Sequence, residues 1–169
     1  MIPIVSIVGK SNAGKTTLIE KMIAELSRRG WRVASIKHNR HGFEIDREGK
    51  DSWRHKKAGA VSTVIASPQL VALIEDTDRD LEIGELAERY IRSADIVLVE
   101  GYKSSPYPKI EVFRAELNRD LLSSEQEGLI AVASDVPLDV KVPVININDV
   151  RAVVDLVETR FLKQITNNI

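Results

Sequence analysis

The chain has 169 residues, enough to bury one continuous core without disulfides or metals, so a single domain over 1–169 is expected, with 164–169 as a fraying tail. Hydrophobic residues make up 43% and charged residues 29%; 24 basic against 25 acidic side chains leave a net charge of -1, which excludes a general attraction to nucleic acid or anionic lipid. Cysteine is absent, which excludes disulfides, thiolate metal sites and cysteine nucleophiles, and no apolar run approaches the ~18 residues of a membrane span, so a reducing, cytoplasmic setting is expected.

Residues 2–8 form a short apolar run rich in β-branched side chains and ended by a glycine loop, the pattern of a strand buried on both faces. From 15 to 29, Leu18, Ile19, Met22, Ile23 and Leu26 recur at helical spacing, and Gly30 is placed to stop that helix. Further apolar runs at 33–36, 61–66, 70–74, 96–99, 110–113, 129–132 and 142–145 read mostly as strands. Between them, Ile83, Leu86, Ala87, Tyr90 and Ile91 make one helical face, and Val150, Val153, Val154, Val157 and Phe161 make another. Strands alternating with helices predict an α/β fold with a mostly parallel sheet and helices on both faces. Polar stretches at 39–52 and 104–108 interrupt the alternation, and such loops tend to carry binding residues.

The connection between the first strand and the first helix carries the chemistry. Gly9, Lys10, Ser11, Asn12, Ala13, Gly14, Lys15 and Thr16 fit the pattern GxxxxGK[ST], with Thr17 following, which predicts a P-loop NTPase type of α/β fold. Glycines let backbone N–H groups approach phosphate oxygens, and the helix N-terminus adds unpaired N–H groups and a positive dipole end. Lys15 is expected to neutralise the β and γ phosphates, and the Thr16 hydroxyl to be a ligand of Mg²⁺. Lys10 stands five positions before Lys15, the spacing of the extra lysine in deviant P-loops resembling the MinD family. The paired glycines of those loops are replaced by Ser11 and Asn12, so Lys10 reads as an exposed loop lysine.

On the metal side, the apolar run 96–99 ends in Glu100 and Gly101, which makes Glu100 the Walker B candidate, with Asp46 as a competing or complementary carboxylate. His38 and His41 stand three apart with His55 further on, but spread over a loop and a helix and without cysteine they lack the closed pattern of a zinc site. Lys37, His38, His41 and Arg54 suggest instead a cationic wall for an anionic molecule, weakened by Glu44, Asp46 and Glu48 in the same loop.

The ordered set of motifs has a family likeness. Residues 9–17, Lys37-His38 with His41, Gly49-Lys50-Asp51-Ser52 with Arg54, Ala58-Gly59-Ala60, Val99-Glu100-Gly101-Tyr102-Lys103 and Pro108-Lys109-Ile110-Glu111-Val112-Phe113-Arg114 together resemble MobB, the molybdopterin-guanine dinucleotide biosynthesis protein B family. The likeness runs to about Pro137. It implies a GTP-binding protein with weak, Mg²⁺-dependent hydrolysis, a homodimer, and a partner of the MobA type, the transferase that attaches GMP to molybdopterin. Molybdopterin itself is a further candidate ligand. The guanine-reading NKxD motif is not present: Asn146-Ile147-Asn148-Asp149 has isoleucine for lysine, and Asn148 or Asp149 would also serve as a helix cap. By the resemblance Asp135, after the strand at 129–132, is the preferred base reader. The same loop also suits an ATP-dependent small-molecule kinase, with Arg54 or Arg114 in a lid, and a non-hydrolysing nucleotide-dependent binding module.

Overall fold

The computed structural model describes residues 2–39, 42–117 and 120–163, so the expectations for His41 and for the tail 164–169 lie outside the described residues. Contacts divide the chain into two compact units, one within residues 1–38 and 83–169 and the other Asn39–Glu82.

The first unit is built around β1 (Ile4–Val8), whose residues are all buried because it is hydrogen-bonded on both edges. Its parallel partners are β5 (Ile96–Glu100) and β6 (Lys109–Phe113). With β2 (Val33–Lys37), β7 (Leu129–Ser134) and β8 (Val144–Asn146) they form a six-stranded parallel sheet in the order β2-β5-β1-β6-β7-β8. Side chains alternate across the strands, so β1 sends Val5 and Ile7 to one face and Ile4 to the other. The first face is covered by α1 (Lys15–Arg28) through Leu18, Ile19, Met22 and Leu26 and by α4 (Val150–Val157) through Val153, Val154 and Val157. The second is covered by α3 (Ile83–Tyr90), which buries Ile83 and Ala87 against Ile4, Val97 and Val99.

Three details depart from the sequence reading. Tyr90, expected on the apolar face of α3, is exposed, while Ile91, expected there too, packs beside Ile83. The last helix continues from α4 into a π turn at Glu158–Leu162; the extra residue per turn buries Leu162 fully in the core, while Phe161, expected on that face, packs against it partly buried. β8 starts after Pro143 rather than at Val142, and the proline, which has no N–H to give, only accepts, its carbonyl taking the N–H of Val132 at 2.9 Å.

The second unit contains α2 (Asp51–Lys57) and the antiparallel pair β3 (Ser62–Ala66) and β4 (Val71–Glu75). Both expected strands form, and they make a two-stranded sheet separate from the parallel one. The four residues between them are too few for a parallel crossover and suit a hairpin, closed by Ser67, whose N–H reaches the Leu70 carbonyl at 2.8 Å. Lys56 at the end of α2 ties the unit together by donating to the Ala60 carbonyl and to Asp76. None of the described helices is long and apolar enough to cross a membrane.

Candidate functional site

The carboxyl ends of the parallel strands bring most of the singled-out residues to one edge of the sheet, which is where open α/β sheets place their ligands. Gly9 leaves β1 at φ +140, and a Cβ there would stand 2.5 Å from the Val112 carbonyl oxygen, so only glycine fits. Gly14, at φ +97, precedes α1 without any side-chain cap, and the first amides of the helix therefore have no side chain to satisfy them. Between the glycines, Asn12 takes the left-handed conformation that asparagine tolerates, Ala13 is fully buried, and Ser11 and Asn12 are exposed. Lys10 is half-buried rather than exposed, and its carbonyl accepts from the Lys15 ammonium at 2.7 Å. Burial lowers the Lys15 pKa, opposed by the negative charge of Glu100 and assisted by the positive charge of Lys37. Thr16 and Thr17 open the helix on its exposed side.

On one flank of the loop lies the end of β5. Glu100 is level with Ile7 of β1 in the ladder, and its carboxylate accepts the Thr16 hydroxyl at 3.0 Å, with the Lys37 ammonium 3.5 Å away. Two oxygens at that separation suit a hard divalent cation, since adjacent ligands of an octahedron with ~2.1 Å bonds stand about 3 Å apart. Gly101 and Tyr102 then turn through positive φ, and the Tyr102 ring stacks on His38 with centroids 4.0 Å apart, forming a wall beside the acid. The Tyr102 contact was not foreseen, although the run Glu-Gly-Tyr was its signal. Asp46 belongs to the second unit, where one carboxylate oxygen accepts the N–H of Arg47 at 2.8 Å and the other is shielded, with no partner among the described residues.

On the opposite flank lie the ends of β6, β7 and β8. Arg114 follows β6, and its Nη2 lies 3.8 Å, with Ile147 Cδ1 at 4.0 Å, from where a Cβ on Gly14 would stand. The Arg114 Nη1 pairs with Asp135 Oδ2 at 3.7 Å, while Asp135 Oδ1 accepts the N–H of Ala115 at 3.0 Å. Asn146 and Asp149 are occupied locally: Asn146 accepts from the Asn148 N–H at 2.9 Å, and Asp149 caps α4 by accepting from Ala152 at 3.1 Å.

Beneath the loop, β6 carries two buried charges on one face. The Lys109 ammonium donates to the carbonyls of Ser105, Tyr107 and Glu127, and so fastens the 101–108 crossover over β1. The Glu111 carboxylate accepts the N–H groups of Leu122 and Ser123 at 2.7 and 3.0 Å. Burial pushes the Glu111 pKa up, opposed by those two N–H groups and by Lys10. Both residues lie within the motif quoted above, but the sequence suggested no partners for them. The available signal was a pair of charges two apart in an apolar strand, which must share a face.

A parallel sheet with a glycine-rich loop leading from its central strand into a helix defines the class, a P-loop NTPase-like α/β protein. The sequence profile of MobB, molybdopterin guanine dinucleotide synthesis protein B, matches residues 4–135. A molybdopterin-guanine dinucleotide biosynthesis adapter protein of Escherichia coli is 41% identical over 169 residues, covering 97% of this chain and 96% of that one. The crystal structure of Bacillus subtilis MobB superposes with a TM-score of 0.73 at 30% identity, covering 95% of this chain and 98% of that one. GTPase Der of Herpetosiphon aurantiacus is 30% identical over 126 residues, 74% of this chain but 23% of its own length. The chain belongs to the MobB family.

Proposed function

We propose that this protein is a guanine-nucleotide-binding adapter of molybdopterin guanine dinucleotide synthesis, with slow Mg²⁺-dependent GTP hydrolysis. The observation that carries this reading is the Thr16 hydroxyl held 3.0 Å from the Glu100 carboxylate at the rim of the glycine cradle. Similarity to a Der GTPase over 126 residues supports a nucleotide as ligand. The backbone N–H groups of 9–17 receive the phosphates, and Lys15 exchanges the Lys10 carbonyl for phosphate oxygens. Thr16 and Glu100 would hold Mg²⁺, which would supply positive charge to neutralise the β and γ phosphates. Water attacks the γ-phosphorus, the bond to the β–γ bridging oxygen breaks and GDP and phosphate leave, while Lys15 stabilises the charge that spreads over the oxygens. No described side chain is assigned as general base, so turnover is slow and open to stimulation by a partner.

The homodimer belongs to the same proposal. Val61, Val64, Leu70 and Val71 of the hairpin segment are exposed at 75%, 61%, 71% and 66%, and a two-stranded ribbon with such a surface needs a partner. Replacing Val64 and Val71 together by lysine is expected to give a monomer in sedimentation. A MobA-type transferase as second partner, molybdopterin as a further ligand, and the cytoplasm as location complete the reading. Release of free phosphate from GTP, and not from ATP, tests it; a phosphorylated small molecule formed from ATP would replace it with a kinase.

A further inference from the structure

The two flanks of Gly14 are chemically unlike, and the difference gives a bound nucleotide a direction. Resting on the nucleotide-binding reading, we propose that Arg114 is the residue that receives the nucleoside: its guanidinium plane is the surface on which the base stacks, and Asp135 is the positioning residue that holds it there. Glu100 repels any phosphate that does not have a cation between them, so the Mg²⁺-bearing terminal phosphates belong on the β5 flank and the nucleoside leaves over β6 and β7. There the Arg114 tip stands 3.8 Å from the place of a Cβ on Gly14, and the other neighbour within reach, Ile147 Cδ1 at 4.0 Å, is buried.

A guanidinium whose charge is already met by a carboxylate suits a base better than a phosphate. Asp135 already offsets the charge of Arg114 at 3.7 Å, which weakens it as an anion clamp, and a planar guanidinium can stack where a lysine cannot. The Arg114 side chain is 33% exposed, so it is open to a ligand yet held in place. Asp135 is itself fixed through the Ala115 N–H at 3.0 Å, so the ends of β6 and β7 set the position of the plane together.

The test is calorimetric titration of wild type, Arg114→Ala, Arg114→Lys and Asp135→Asn with GTP, xanthosine triphosphate and inorganic tripolyphosphate, all with Mg²⁺. Arg114→Ala is expected to weaken GTP roughly tenfold while tripolyphosphate changes by less than about twofold, and Arg114→Lys does not rescue it, because a lysine has charge but no plane. Unchanged tripolyphosphate binding also shows that the variant is folded. Asp135→Asn should lose less GTP affinity than Arg114→Ala and gain none for xanthosine triphosphate. Equal loss for GTP and tripolyphosphate with rescue by lysine would make Arg114 a phosphate contact and overturn the proposal. A gain of xanthosine triphosphate binding in Asp135→Asn would assign that carboxylate to the base and overturn its positioning role. A wild type that binds neither GTP nor tripolyphosphate would overturn the nucleotide reading itself, and this inference with it.

Discussion

The strands on either side of β1 end in opposite chemistry. β5 ends in a carboxylate that faces the Thr16 hydroxyl, with a lysine nearby, whereas β6 is followed by an arginine whose charge is already met by Asp135. Both flanks are supported by the same loop, and both sit at the carboxyl edge because all the strands of this sheet are parallel. The contrast gives the proposed phosphate cradle a polarity: its backbone N–H groups are shared by both flanks, whereas the side chains at the neighbouring strand ends differ.

The residue common to both flanks should show the largest effect. Lys15→Ala is expected to weaken GTP binding on the order of a hundredfold and to abolish phosphate release, as measured by calorimetry and a phosphate assay. Undiminished binding would mean that the cradle does not work through this lysine. Gly9→Ala tests the framework, since the added methyl meets the Val112 carbonyl oxygen at 2.5 Å and takes a left-handed conformation. It should cost about 2 kcal/mol in chemical denaturation and disturb both flanks at once.

Glu100→Gln separates the flanks. The gain in GTP affinity on adding Mg²⁺ should shrink about tenfold, or ~1.4 kcal/mol, while binding without Mg²⁺ becomes no weaker, because a repelling charge has gone. Loss of affinity at Arg114, by contrast, should be the same with and without the cation.

The smallest effect concerns the strand beneath. Burial raises the folded-state pKa of Glu111 above its ordinary value of 4.5, so the folded protein binds the proton more tightly than the unfolded chain. The resulting stability is complete below pH 4.5 and is lost as pH rises through the raised pKa. Denaturation of wild type and Glu111→Gln across that range should therefore shift in favour of the variant as pH increases. A constant difference would mean that the carboxyl titrates alike in both states.

The parts that were legible in the sequence rest on local physics. Gly9, Gly14, Lys15 and Thr16 identify themselves by spacing, and Glu100 by closing an apolar strand before a glycine. The strand order was not legible, because pairing β5 and β6 on either side of β1 depends on a crossover at 101–108 fastened by Lys109, through contacts between residues 2 to 18 positions apart. The apolar runs at 61–66 and 70–74 carry the same signal as core strands, and only their short connection hinted at a separate hairpin. Arg114 stood in a recognised motif, but its neighbour Gly14 lies 100 positions away, and no periodicity reports such a meeting.

The most direct test of the central claim is calorimetric titration of the wild-type protein with GTP and with ATP, each with and without Mg²⁺. The account predicts saturable binding of GTP that strengthens with Mg²⁺ and a clear preference over ATP. Equal or tighter binding of ATP, or GTP binding indifferent to Mg²⁺, would contradict it.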